Sequence, residues 1–101
     1  MILYNVTVNI DKEVETDWIT WMKETHIPEV MDTGFFSEYR MMKMLSQEQD
    51  ETGTTYAIQY MTETLGHLED YLNSVAPKIQ KKSIIRYGTK MAAFRTVLEE
   101  V

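Results

Sequence analysis

The chain of 101 residues contains no cysteine. This absence excludes disulfides, thiolate metal ligands and cysteine nucleophiles, and it gives no support to a secreted, cross-linked scaffold. No apolar run approaches the roughly 20 residues that cross a bilayer, and the first residues show neither a basic region nor a small-residue cleavage site. We therefore expect a cytoplasmic protein that has no membrane partner.

Basic side chains are also few, since 10 Lys and Arg stand against 16 Asp and Glu and give a formal net charge of -6. A negative balance repels phosphates and anionic lipid, so nucleic acid is not an expected partner. Apolar residues are plentiful: 44% of the chain is hydrophobic and 11% is aromatic, which is enough apolar area to support folding. The length predicts a single domain over residues 1–101.

In the first half of the chain, residues 2–10 alternate as a strand does, and apolar residues at helical spacing then predict a helix over 12–33. Asp11 is placed to cap the start of this helix. Pro28 lies inside it and is expected to kink or interrupt it, because the ring lacks an amide donor and pushes the preceding residue away from helical angles. Gly34 is expected to end the helix as a left-handed cap.

The second half of the chain predicts a hairpin, two helical pieces and a last strand. Thr64 is placed to cap a helix, and Pro77 is expected to break it. The predicted ranges are 36–46 and 54–62 for the hairpin strands, 47–53 for their polar link, 79–87 for the second helical piece and 90–99 for the last strand.

The order β-α-β-β-α-β is typical of a ferredoxin-like sandwich, in which helices cover one face of a four-stranded antiparallel sheet. The predicted strands carry apolar side chains on both faces, as when Tyr60 alternates with Met61 and Phe94 with Ala93. A sheet that is apolar on both sides needs both sides covered. We therefore predict a homodimer in which two open faces pack into a barrel-like α+β structure.

Residues 21–28 read Trp-Met-Lys-Glu-Thr-His-Ile-Pro and place a His-x-Pro sequence near the end of the first predicted helix. Together with element order and length, this segment resembles the dimeric α+β barrel superfamily, which includes EthD-like proteins, antibiotic-biosynthesis monooxygenases, muconolactone isomerases and haem-degrading monooxygenases. Over nearly its whole length the chain is similar to an uncharacterised bacterial family described as a domain of unknown function. That resemblance implies the fold and no activity. The superfamily implies a pocket between helices and sheet that often works without a cofactor, and only His26 is carried across from it.

His26 is also the best single candidate on its own chemistry, because an ordinary imidazole exchanges protons near neutral pH. We consider it a candidate general base. The alternatives are a partly buried packing residue bonded to a carbonyl or carboxylate, and a metal ligand. His26 with Glu29 and Glu63 with His67 are spaced for metal binding, but neither pair has a third ligand nearby in the sequence. No metal or other cofactor is therefore expected.

Five further residues are candidates for binding a small apolar or aromatic ligand: Trp18, Trp21, Met22, Asn5 and Tyr56. The aromatic rings are able to wall a cavity for a planar molecule, or simply to fill the core of a small domain. Asn5 belongs to a set of polar strand residues that either orient a ligand or bond to each other across a dimer interface. The other members of this set are Arg40, Gln59 and Arg95.

Positive charge is concentrated near the end of the second helical region. Lys78, Lys81, Lys82, Arg86 and Lys90 gather there with no acidic residue between them. This cluster is either an anion site or a solvated helix face whose cations offset the negative end of the helix dipole.

Two classes of function remain open. The first is a binding or interaction module, which the sequence favours slightly. The alternative is a cofactor-free enzyme, monooxygenase- or isomerase-like, that acts on a small aromatic or enolisable compound with His26 as general base. A ligand-sized cavity beside His26 would favour a pocket protein, whereas a filled interior with the imidazole bonded to backbone would favour an interaction module.

Overall fold

A computed structural model describes residues 1–46 and 52–101. Within these residues the strands form one antiparallel sheet in the order β2-β3-β1-β4. The strands are β1 (Ile2–Asp11), β2 (Glu38–Lys43), β3 (Gly53–Thr62) and β4 (Met91–Glu99). The helices are α1 (Glu15–Trp21), a π-helical turn (Met22–His26), α2 (Ile27–Asp32), α3 (Leu65–Ser74), α4 (Ala76–Tyr87) and a final 3-10 turn (Gly88–Lys90). The predicted ferredoxin-like fold is confirmed.

The sheet has two unlike faces because side chains alternate along each strand. We call the face that packs on the helices the covered face and its opposite the open face. On the covered face, Tyr4, Ile10 and Ile58 are almost fully buried in one hydrophobic core with the helices. On the open face, Phe94 is 63% exposed and Leu98 is 49% exposed. Apolar side chains thus lie on both faces, as predicted.

The first helix begins later than expected. Asp11 accepts a hydrogen bond from the Glu13 amide at 2.8 Å, and α1 starts only at Glu15 with no side-chain cap. Asp11 therefore caps the turn between β1 and α1, and the prediction that it caps the helix itself was wrong. Two carboxylates in the first turn, those of Glu15 and Asp17, face the positive end of the helix dipole.

Pro28 interrupts the regular α-helix in a way that the sequence did not predict. The five residues before Ile27 form a π-helical turn, and the Ile27 amide donates to the Met22 carbonyl five residues earlier. Ile27 keeps helical angles, with φ -63° and ψ -45°, so the expectation that Pro28 would push it out of the helical region was wrong. The wider turn accommodates the ring in place of a kink out of the helix.

Other helix boundaries follow the prediction. Gly34 has φ +81° and its amide donates to the Met31 carbonyl at 3.2 Å, which is the left-handed cap expected after α2. Thr64 caps α3 by accepting from the His67 amide at 3.2 Å. The second helical region is divided between α3 and α4 as predicted, but α4 begins at Ala76 and not at residue 79, because Pro77 is tolerated in the first turn of a helix.

Strand β2 is shorter than the predicted range 36–46. Phe36 is buried before the strand begins, with its ring 4.8 Å from that of Tyr71 and 5.2 Å from that of Tyr60. Packing into this aromatic cluster takes Phe36 out of the ladder. The predicted link 47–53 lies outside the described residues for 47–51, and β3 begins at Gly53.

Candidate functional site

A cavity of about 200 Å³ lies between the covered face of the sheet and the helices. Strands β1, β3 and β4 form one side, and residues of α1, the π-helical turn and α4 form the other. Most of its wall is apolar, with Val8, Ile58 and Ile79 among the lining residues. A small number of polar groups on an apolar wall is the usual composition of a small-molecule site.

His26 lines this cavity from the end of the π-helical turn. Its ring lies 5.0 Å from the Trp21 ring, and its Nδ1 atom is buried with no hydrogen-bond partner among the described residues. Burial lowers the pKa of His26 to about 4; Glu29 opposes this fall, and the positive charges of Arg95 and Lys82 add to it. The imidazole is therefore neutral at pH 7, whereas an unperturbed histidine would exchange protons near that pH.

Trp18 and Met22 line the same cavity one turn of helix apart. Trp18 is fully buried, and its ring lies 5.1 Å from the ring of Tyr56. Its indole Nε1 has no hydrogen-bond partner within residues 1–46 and 52–101. Two residues that line the cavity from its helical side, Trp18 and His26, therefore each contain a buried nitrogen atom without a partner in the described residues.

Trp21 is not among the residues that line the cavity, but it packs against His26, which is. Its ring contacts the His26 ring on one side and lies 5.5 Å from the Tyr87 ring in an edge-to-face contact. The Arg86 guanidinium lies 5.7 Å from the centre of the indole. Trp21 therefore packs against the imidazole of His26 and is not among the residues that line the cavity.

Asn5 and Tyr56 are not brought into the cavity. Asn5 lies on the open face, where its Nδ2 atom donates to the Thr7 hydroxyl at 2.9 Å. Tyr56 lies on the covered face near the start of β3, and its hydroxyl donates to the Glu15 carboxylate at 2.5 Å. Burial raises the pKa of Tyr56, and the bound Glu15 carboxylate raises it further, to about 12.

The cavity also contains polar residues that sequence reasoning missed or assigned elsewhere. Gln80 and Ser83 face it from α4, and Tyr71 faces it from α3. Buried residues at Ile79, Ser83 and Tyr87 recur at helical spacing, and this stripe was the available signal. Arg95, for which the sequence left open a ligand-orienting role or pairing across a dimer interface, lines the cavity from β4.

Three tyrosines line the cavity, Tyr4 and Tyr60 from the sheet and Tyr71 from α3. Burial raises the pKa of Tyr4, Tyr60 and Tyr71, so all of these phenols stay protonated near neutral pH. Arg95 and Gln80 lie beside the Tyr4 hydroxyl and oppose the rise of its pKa. The site therefore offers neutral donors, one neutral imidazole and one cation to a bound molecule.

The cluster of cations around α4 is largely compensated by acidic side chains. Lys82 pairs with Glu29 at 2.7 Å, Lys90 with Glu13 at 2.7 Å, and Arg86 with Asp17 at 3.4 Å. These contacts fit a solvated helix face better than an anion site.

The described residues contain no group of three or more His, Cys, Asp or Glu side chains placed to hold a metal ion. In the same part of the chain, no helix combines the length and apolar character needed to cross a membrane.

The chain matches a known family and shares its fold with solved structures, and neither comparison assigns it an activity. The model of a family described as a domain of unknown function (DUF4286) matches residues 1–101. No curated protein matches the chain.

Several solved structures share the fold at low sequence identity. An ethyl tert-butyl ether d (ethd) family protein from Bacillus halodurans is 12% identical, with 100% of each chain covered and a TM-score of 0.69. A protein from Deinococcus radiodurans, proposed to be an antibiotic biosynthesis monooxygenase, is 14% identical, with 100% of this chain and 93% of that chain covered and a TM-score of 0.69. A dimeric ferredoxin-like protein from an uncultured marine organism is 12% identical, with 99% and 97% covered and a TM-score of 0.66.

Proposed function

The chain belongs to the DUF4286 family, and from the geometry of its cavity we propose that it is a binding protein for a small aromatic or enolisable molecule. The ligand would lie between the helices and the covered face, in contact with His26, Trp18 and Met22. We propose further that the protein works as a homodimer, and its expected location remains the cytoplasm.

The observation that carries this proposal is a ligand-sized cavity whose lining includes two residues, Trp18 and His26, that each have a buried nitrogen atom without a partner in the described residues. Trp18 Nε1 and His26 Nδ1 are both buried without a hydrogen-bond partner in the described residues. Leaving a buried polar group unsatisfied costs about 1 to 3 kcal/mol, so groups of this kind favour a molecule that bonds to them. A cavity of about 150 Å³ is large enough for benzene, and this one measures about 200 Å³.

The competing interpretation was a filled interior with the imidazole bonded to backbone. Neither feature is present at His26, because the residue lines a cavity and its Nδ1 atom has no partner within the described residues. The geometry therefore favours a pocket protein over a module that acts only through its outer surface.

A thermal-shift screen of aromatic acids and quinones tests the proposal. We expect at least one compound to raise the melting temperature of the wild type, because a ligand that binds only the folded state stabilises it. Ala93 lines the cavity from β4 and is itself exposed, so Ala93→Phe should fill the site without disturbing the core. The matched control is Ala92→Phe, which adds the same ring to the open face. No shift for any compound, or an equal shift in Ala93→Phe, would contradict the proposal.

The homodimer is supported by the open face. Met42 is 51% exposed, Phe94 63% and Leu98 49%, and these side chains lie on the same side of the sheet. Large exposed apolar groups on one surface are typical of an interface. The dimeric ferredoxin-like neighbour has the same fold. Sedimentation at micromolar concentration should give twice the subunit mass, and a species of 11.9 kDa alone would contradict the dimer.

Catalysis is a second candidate, favoured by the neutral imidazole in the cavity wall. A base with a pKa of about 4 removes protons only from acidic positions, so the substrate would be a compound whose C–H bond is already activated by neighbouring carbonyl groups. Deuterium exchange at such a position, measured by NMR, should be faster with wild type than with His26→Gln. Equal exchange rates for the two proteins would contradict catalysis by His26 and leave only the binding role.

A further inference from the structure

We propose that the ligand is an aromatic carboxylate and that Arg95 is the residue that recognises its negative charge. This inference rests on the proposed binding function and adds the chemical class of the ligand. It starts from a difference among the cations that surround the cavity.

Arg95 lacks the kind of partner that its neighbours have. In residues 1–46 and 52–101, Lys82, Arg86 and Lys90 each pair with a carboxylate, whereas no carboxylate lies within ion-pair distance of Arg95. Arg95 lies on the covered face of β4, opposite Val6 on β1, and its side chain lines the cavity. Among the described residues it is therefore a positive charge without a carboxylate partner, and it lies in a wall whose other lining side chains are apolar or uncharged polar.

The charge of Arg95 affects the pKa values of several groups that line the cavity. It helps to lower the pKa of His26, and it opposes the rise in the pKa of Tyr4 and of Tyr71. Glu29 acts on His26 and Tyr71 in the opposite sense, but its carboxylate is bound to Lys82 at 2.7 Å. A bound anion next to Arg95 would therefore be stabilised by a charge that no side chain in this part of the chain neutralises.

The groups beside Arg95 suit a carboxylate better than a larger anion. A guanidinium offers two parallel N–H donors that match the two oxygens of a carboxylate. The protonated Tyr4 hydroxyl lies next to Arg95, the Gln80 amide lies next to that hydroxyl, and both are further donors. The formal net charge of the protein is -6, and this disfavours ligands that carry several negative charges.

The rest of the cavity suits a flat ring. Trp18, Val8 and Ile58 provide apolar surface, and the volume of about 200 Å³ leaves room for a benzene ring together with a carboxylate. The ring would lie against the sheet and the Trp18 side chain while its carboxylate reaches Arg95. His26 and Trp18 would meet any polar substituent on the ring.

The test compares acids with their uncharged amides. Benzoate, trans-cinnamate and 2-naphthoate, each matched with its primary amide, are titrated calorimetrically into the wild type at pH 7, where the acids are ionised. At least one acid should bind 10-fold or more tightly than its amide. Arg95→Gln should remove this difference, while Arg40→Gln, an exposed arginine on the open face, should keep it.

The outcomes separate this inference from the proposed function. If acids and amides bind wild type equally and Arg95→Gln changes neither, the carboxylate proposal is overturned and the binding function stands. If neither acids nor amides bind, both are overturned. Because the Arg95 side chain is exposed, Arg95→Gln should fold normally, which circular dichroism and the melting temperature check. Arg95→Lys should restore part of the preference for the acid, since it keeps the charge but loses the paired donors.

Discussion

The two faces of the sheet are formed by the same strands, yet they differ in burial and in the role that we propose for each. On the covered face, Ile58 is 0% exposed and the packing leaves a cavity with polar groups in its wall. On the open face, Phe94 is 63% exposed and no element of the described chain packs over it. Alternation alone decides which residue joins which face. We propose that one set of strands combines a ligand site on the covered face with an interface for a second copy on the open face.

The largest expected effect concerns the covered face. Ile58→Ala should lower the free energy of unfolding by about 3 to 5 kcal/mol, because it removes buried methyl groups and leaves a void in the core. Gln59→Ala, one residue further along β3 on the open face, should change it by less than about 1 kcal/mol per subunit. Urea unfolding measures both. Equal losses at the two positions would contradict the difference between the faces.

On the open face, introducing a charged side chain should weaken dimerisation. Phe94→Asp should weaken dimerisation at least 100-fold, which is about 2.7 kcal/mol, because it places a carboxylate in an apolar contact. Ile85→Asp is the control, since Ile85 is 74% exposed but lies on α4. Sedimentation over a range of concentrations distinguishes them. A Phe94→Asp protein that stays dimeric would place the interface elsewhere.

A smaller effect tests the buried imidazole on the covered face. The folded pKa of His26 is about 4 and the unfolded value is near 6.5, so the unfolded chain binds more protons between these pH values. The wild type should therefore lose stability as the pH falls from 6.5 to 4, by at most about 3 kcal/mol through this residue. His26→Gln should lack this loss, and His67→Gln should retain it. Urea unfolding at several pH values gives the comparison, and parallel curves for wild type and His26→Gln would show that His26 is not buried as described.

The smallest expected effect concerns the helix layer that covers the sheet. Thr64→Ala should destabilise the protein by about 1 kcal/mol, because the His67 amide loses its acceptor at the start of α3. Thr64→Ser keeps the hydroxyl and should be close to wild type. Thermal unfolding measures both variants. A Thr64→Ala protein as stable as wild type would mean that solvent replaces the cap at no cost.

Local chemistry made much of the fold predictable. The alternation of β1, the left-handed Gly34 and the Thr64 cap each depend on one residue and its neighbours, and the structure confirms all of them. The start of α1 was not predicted, since Asp11 caps a turn that precedes the helix and the sequence does not show how long that turn is. The π-helical turn before Pro28 depends on how the whole helix packs, which no local pattern reports.

The site was predictable only in part, for a related reason. His26, Trp18 and Met22 share a helical stripe, and the structure brings these residues to one cavity. Asn5 follows Tyr4 on β1 and its side chain therefore points to the opposite face of the sheet, the open face. Tyr56 has the right parity, but its hydroxyl is bound to a carboxylate 41 residues away in the chain, a pairing that only the tertiary fold creates.

We propose that the covered face, and not the open face, holds the ligand. Methionine methyl groups report this directly by NMR, because Met22 and Met91 line the cavity while Met42 and Met61 lie on the open face. On titration with an aromatic carboxylate such as trans-cinnamate, we expect saturable shifts of the Met22 and Met91 methyl signals and no change in the methyl signals of Met42 and Met61. Shifts concentrated at Met42 and Met61, or at none of the four, would contradict it.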